Sequence, residues 1–180
     1  PQNAKQIRND LSAVKALISG GQKVYASVAP SYAAIFGGKS FADVRKALIA
    51  LGFADAEPTA IGATVVKREY EKIIENREKS IIISSCCHSV NLLIEKHFPN
   101  AVSYLANVVT PMAAHTKLIR ERFGSGSRVV FIGPCISKKA EAEAYPGNAD
   151  AVLTFDELEE WLSESGISVE SSGNSEKRGL

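Results

Sequence analysis

Apolar residues at three- and four-residue spacing alternate along this chain with short β-branched runs, a pattern that predicts helices and strands in turn. Ile7, Leu11, Val14, Leu17 and Ile18 share one face over residues 4–19, which predicts a helix stopped by Gly20-Gly21. Residues 24–28 predict a short strand. Ala29-Pro30 breaks it, and residues 31–36 predict a helical turn, since proline is tolerated where the first helical N–H has no partner. Residues 40–51 predict an amphipathic helix with Ser40 as N-cap, Asp43 completing a near capping box and Gly52 ending it. An extended piece over 56–60 leads into a helix over 63–76, on which Val65, Val66, Tyr70, Ile73 and Ile74 share a face. Ser80-Ile81-Ile82-Ile83-Ser84 then predicts a central strand covered on both faces.

The second half repeats the alternation. It predicts helices over 89–97 and 111–123 separated by a loop at Pro99-Asn100, a turn over 124–127, a strand over 128–132 and a helix from Pro134 to about 144. A last strand over 151–153 precedes Thr154-Phe155-Asp156-Glu157, a capping box that opens a helix over 156–163. Residues 171–180, polar and rich in glycine and serine, read as a flexible C-terminal tail after one domain over 1–170. Strands alternating with helices predict an α/β fold, a parallel β-sheet flanked by helices.

Composition narrows the class. The chain has 180 residues, 45% of them hydrophobic and 23% charged, which excludes collagen-like and wholly disordered proteins. Its 21 basic and 20 acidic residues nearly cancel and are interspersed, so neither a nucleic acid nor another large polyanion is an expected partner. No apolar run is long enough to span a bilayer, and the opening Pro1-Gln2-Asn3 has no signal-peptide character; the expectation is a cytoplasmic protein with no membrane partner. Three cysteines, two of them adjacent, suit reduced thiols better than a secreted disulfide framework.

Those cysteines carry the candidate chemistry. Ser84-Ser85-Cys86-Cys87-His88 sits where a predicted strand gives way to a helix, and Gly133-Pro134-Cys135 repeats the arrangement, with Lys138 and Lys139 behind it. Unpaired N–H groups at a helix N-terminus stabilise thiolate, which favours metal ligation or nucleophilic chemistry. A buried cysteine is otherwise a small hydrophobe. Zinc is the poorer metal, because Cys86-Cys87-His88 lacks the usual gap between paired ligands; an Fe–S centre accepts lone cysteines from several loops. A Cys-His hydrolase using His88 or His97, or another thiol enzyme with Cys86 as nucleophile, stays open. His115 reads as a surface or partly buried helix residue.

At this point the residues become specific. SSCCHS at 84–89 and FIGPCISKKAEAE at 131–143 resemble the first two signature motifs of the iron-only ([FeFe]) hydrogenase large subunit, TSCCPxW and MPCxxKKxE. VAPS at 28–31 resembles that family's loop of the same sequence, and Thr110-Pro111-Met112 its SPQ segment. The resemblance implies reversible oxidation of H2 at an H-cluster, a [4Fe-4S] cubane bridged through cysteine to a di-iron centre carrying CO and cyanide. It makes Cys87 and Cys135 two of the cubane ligands and Cys86 the thiol that passes protons. Lys138 would hold one cyanide, while Ala29, Pro30, Ser31, Met112, Gly133 and Pro134 would line the cofactor pocket.

Departures from the family pattern qualify what the resemblance implies. No cysteine follows Cys135, so the family's third motif, source of the remaining cubane ligands, is not in this chain. The expectation is a fragment of the catalytic domain, inactive when isolated, whose partners are the second lobe and an electron carrier such as ferredoxin or attached Fe–S or signalling domains. His88 stands at a usual proline and Gly133 at a usual methionine; the family's acidic and serine proton-relay positions fall on Arg68 and Ala106. These changes resemble the sensory branch of the family, and the alternative reading is a non-catalytic Fe–S scaffold or H2 sensor.

Overall fold

The computed structural model describes residues 7–77 and 80–170. Strands β1 (Val24–Val28), β2 (Asp55–Pro58), β3 (Arg128–Ile132) and β4 (Ala151–Leu153) form one parallel sheet in the order β2-β1-β3-β4. Helices α1 (Leu11–Ser19), α2 (Tyr32–Ile35), α3 (Phe41–Ala50), α4 (Ala60–Glu75), α5 (His88–His97), α6 (Pro111–Phe123), α7 (Ser137–Ala144) and α8 (Phe155–Glu164) surround it. The α/β architecture read from the sequence is the one observed. Among the described residues no helix is long and apolar enough to cross a membrane.

Every residue of β1 is buried, as a strand covered on both faces requires. The twofold alternation sends Val24, Ala26 and Val28 into a cluster with Leu11 and Val14 of α1, Val44 and Leu48 of α3, and Phe155, Leu158 and Trp161 of α8. On the other face Tyr25 packs with Val129 and with Ile119 of α6, and its ring stacks on Phe123 at 4.4 Å. Both anticipated capping boxes are present: Ser40 with Asp43 on α3, and Thr154 with Glu157 on α8. Gly62 lets α4 approach α6, because a Cβ there would lie 2.4 Å from the carbonyl oxygen of Pro111 and 2.6 Å from Cβ of His115.

The sheet order locates the site. From β1 the chain crosses to β2 on one side, and from β3 to β4 on the other, so the connections diverge between β1 and β3. A crevice opens at the carboxyl ends of strands where such connections part. Val28 pairs with Ile132 there, and the ladder runs on through Ala29 N–H to the carbonyl of Ile132 at 2.8 Å.

Several expectations change. Residues 80–84 are not a central strand: Ile83 makes a single parallel bridge to Leu105, and Ile81 is 54% exposed. Both edges of β1 are occupied by β2 and β3, and this segment lies beside 104–106 outside the sheet. The cysteine pair therefore follows an irregular segment. Helix α1 begins at Leu11, because the side chain of Asn9 accepts the N–H of Leu11 and turns the chain there; residues 1–6 lie outside the described part. Pro99–Tyr104 winds into a 3-10 turn. Helix α4 starts at Ala60, three residues before its expected position. The tail expected over 171–180 lies outside the described residues.

Candidate functional site

Ala29, Pro30 and Ser31 leave the carboxyl end of β1, while Gly133, Pro134 and Cys135 leave that of β3. The two turns touch: a Cβ on Gly133 would lie 3.0 Å from Cβ of Ala29 and 2.8 Å from the ring of Phe131. The space that a side chain at 133 would enter is therefore filled by Phe131, a buried residue of β3. Ala29 and Gly133 are buried, whereas Pro30, Pro134 and Cys135 are exposed. Met112, the remaining residue expected at the pocket, is a core side chain at 1% exposure.

The vicinal thiols arrive from a different element. Cys87 is the N-cap of α5, exposed and with no side-chain cap bond, so its thiol sits at the helix end whose first N–H groups have no intrahelical partner. Cys135 lies two residues before α7, and Ser89 near the start of α5 donates a 2.8 Å hydrogen bond to Ser137 at the start of α7. That bond joins the N-termini of the two helices and brings both thiol-bearing turns to one end of the molecule. None of the three cysteines is buried, so none serves as a core hydrophobe. Among the described residues no three His, Cys, Asp or Glu side chains are grouped closely enough to hold a metal ion by themselves.

Cys86 points elsewhere. Its sulfur lies 3.7 Å from the hydroxyl of Tyr70 on α4, which also accepts the N–H of Ser85 at 2.8 Å and lies 3.1 Å from the hydroxyl of Ser85. Ser85 in turn donates to the carbonyl of Val108, and the Asn91 amide donates to the carbonyl of Ser85. The cysteine turn is thus held by α4, α5 and the segment before α6. Tyr70 reads from its spacing as one more apolar-face residue; the signal for its role is that a phenol on such a face needs a partner for its hydroxyl. Arg68 is exposed and Ala106 buried.

Both lysines of α7 are engaged. Lys138 donates to Glu141 at 2.5 Å, and Lys139 is buried against Glu157 at 2.8 Å with Asp10 nearby at 3.5 Å. Burial drives the Glu157 carboxyl upward, but Lys139 and the N–H groups of Thr154 and Asp10 hold it below the ordinary carboxylate value. His88, buried against the edge of Tyr145, walls a polar cavity of about 290 Å³ with Ser85, Asn91, Thr110 and Glu141. His115 departs from its expected place: it is fully buried, with Ser27 at 2.8 Å on Nδ1 and Glu57 at 3.2 Å on Nε2. A serine inside an otherwise apolar buried strand was the available signal, since its hydroxyl needs an internal partner.

The model of the iron only hydrogenase large subunit, C-terminal domain, matches residues 22–179. The chain belongs to this family. Its fold is that of solved [FeFe]-hydrogenases. HydA(deltaEFG), whose structure is described as revealing stepwise H-cluster assembly, is 22% identical with a TM-score of 0.75, over 90% of this chain and 48% of that one. The apo [FeFe]-hydrogenase HydA1 from Chlamydomonas reinhardtii, in a cysteine-to-histidine variant, gives 23% identity and a TM-score of 0.76 over 90% and 49%. The family chain described here thus spans about half the length of these hydrogenases. Comparison with curated proteins gives no match.

Proposed function

We propose that this hydrogenase-family chain is one lobe of an iron-only hydrogenase catalytic domain, with Cys87 and Cys135 as two of the four thiolate ligands of a [4Fe-4S] cubane. The observation that carries the reading is the joining of α5 and α7 by Ser89 and Ser137, which sets an exposed thiol beside each helix N-terminus within the family match. The donor set fits half of such a cluster: soft sulfur ligands at the positive ends of two helices, with Lys138 near. When bound, the linked di-iron unit supplies the redox chemistry of H2 and protons. Cys86, hydrogen-bonded to Tyr70, holds the exchangeable proton at its sulfur. Ala29, Pro30 and Ser31 offer backbone and hydroxyl groups beside Gly133 and Pro134, and Lys138 offers positive charge to an anionic ligand.

On this reading the remaining cubane thiolates come from outside this chain, so the isolated chain is expected to evolve no H2. A second reading, an H2-sensing or scaffold protein, is favoured by exposed Arg68, buried Ala106 and the filled space at Gly133, each at a position where the family pattern has a different residue. Anaerobic reconstitution of the chain with iron and sulfide tests the ligand assignment. Iron uptake and the reduced-cluster EPR signal should fall in Cys87→Ser and Cys135→Ser and persist in Cys86→Ser. Equal uptake in all the variants, or rapid alkylation of Cys86 with no iron uptake, would overturn it.

A further inference from the structure

Helix α7 is charged against its own dipole. Its eight residues carry Lys138 and Lys139 at the N-terminal, positive end, with Glu141 and Glu143 toward the other end and no acid in the first turn. Cations at a helix N-terminus are unfavourable, and a lysine preceding a glutamate is the weaker orientation for a helix pair. Helix stability therefore does not explain the pair. Glu141 is also among the most deeply buried side chains, at 1% exposure, and a carboxylate is held there only where its oxygens are matched. They are matched: Thr110, the N-cap of α6, donates to Oε1 at 2.5 Å, Asn148 reaches the same oxygen at 3.4 Å, and Lys138 donates to Oε2 at 2.5 Å.

A lysine three residues after an exposed cysteine would ordinarily trail into water with its full rotamer freedom. Lys138 does not, since its side chain is only 14% exposed. We propose that Glu141 is the positioning residue for Lys138: anchored by Thr110 and Asn148, its carboxylate fixes the ammonium of this residue, three positions after Cys135, before any ligand is present. An ammonium has three donors, and Glu141 takes one, which leaves two for an anionic ligand and removes the search over rotamers that binding would otherwise require. The inference rests on the proposed role of Lys138 as the cation of the cofactor site. It adds that the position of this charge is set from α6 and from the residues after α7.

Peptide-resolved labelling of the chain by an amine-reactive acylating reagent tests this without any cofactor, with Lys139 as an internal reference because it is buried against Glu157 and Asp10. In Glu141→Gln, which keeps the shape and loses the charge, labelling of Lys138 should rise about tenfold while Lys139 stays protected, the scale expected for loss of one charge-assisted hydrogen bond. Asn148→Ala loosens Glu141 without touching either lysine and should give a smaller rise, confined to Lys138; it remains informative if the first variant folds poorly. Unchanged Lys138 labelling would overturn the proposal. So would a joint rise of Lys138 and Lys139 in both variants, since that makes Glu141 a general support of the fold. Neither result alters the iron-uptake test, which is read on the three cysteines and involves neither Lys138 nor Glu141.

Discussion

At Gly133 the residue identity is dictated by a neighbour. A Cβ there meets the Phe131 ring at 2.8 Å, inside any real contact, and the ring belongs to a strand packed on both sides. Gly133→Ala should cost about 1–3 kcal/mol by thermal melting, the usual penalty of overpacking, and the cost should shrink when Phe131→Leu is made first. A second residue-scale prediction concerns His115. Burial pushes its imidazole below the ordinary value, and Arg122 pushes the same way, against the opposing pull of Glu57. The neutral form is the one the fold accommodates, so His115 supports the fold fully above about pH 6.5, where the unfolded imidazole is also neutral, and progressively less below it. Melting temperature should fall on acidification through pH 6, and the fall should be shallower in His115→Gln. Of this network only the need of Ser27 for a partner was legible: Ser27, Glu57 and His115 are far apart in sequence, and nothing in a strand's twofold pattern says which helix will cover it. The placement of the cysteines outside the core was legible because each lies among serine, glycine, proline or lysine residues near the start of a helix, whereas Lys138 stands out only through its place three residues after Cys135.

Elements with local signals were the ones the chain announces. Ser40 with Asp43 and Thr154 with Glu157 specify helix starts through atoms three residues apart, and both boxes formed. Thr154→Ala should cost roughly 1 kcal/mol from the cap alone. The measured loss should exceed that, because Glu157 also holds Lys139 and the N–H of Asp10 and so ties α8 to α7 and to the segment before α1. Residues 80–84 fail for the complementary reason. Apolar, β-branched composition states that a segment tolerates extended backbone but not which neighbour it meets, and this one meets residues 104–106 outside the sheet. The segment settles for one bridge to Leu105. Gly62 shows the same dependence on a partner: α4 is legible as a helix, yet its need for glycine comes from α6, and Gly62→Ala should lower the melting temperature by several degrees.

For the molecule as a whole, the hydrogen bond between Ser89 and Ser137 has a consequence for the order of events. Where a metal knits separate pieces of chain together, folding waits for the ion and a chelator undoes it. Here the hydrogen bond between Ser89 and Ser137 clasps the two turns with protein atoms, beside a sheet whose four strands pair with one another. Purified under chelator, the chain should therefore keep a single cooperative melt and an unchanged far-ultraviolet circular dichroism spectrum. On the proposed reading, iron and sulfide would then enter a bracket that is already standing.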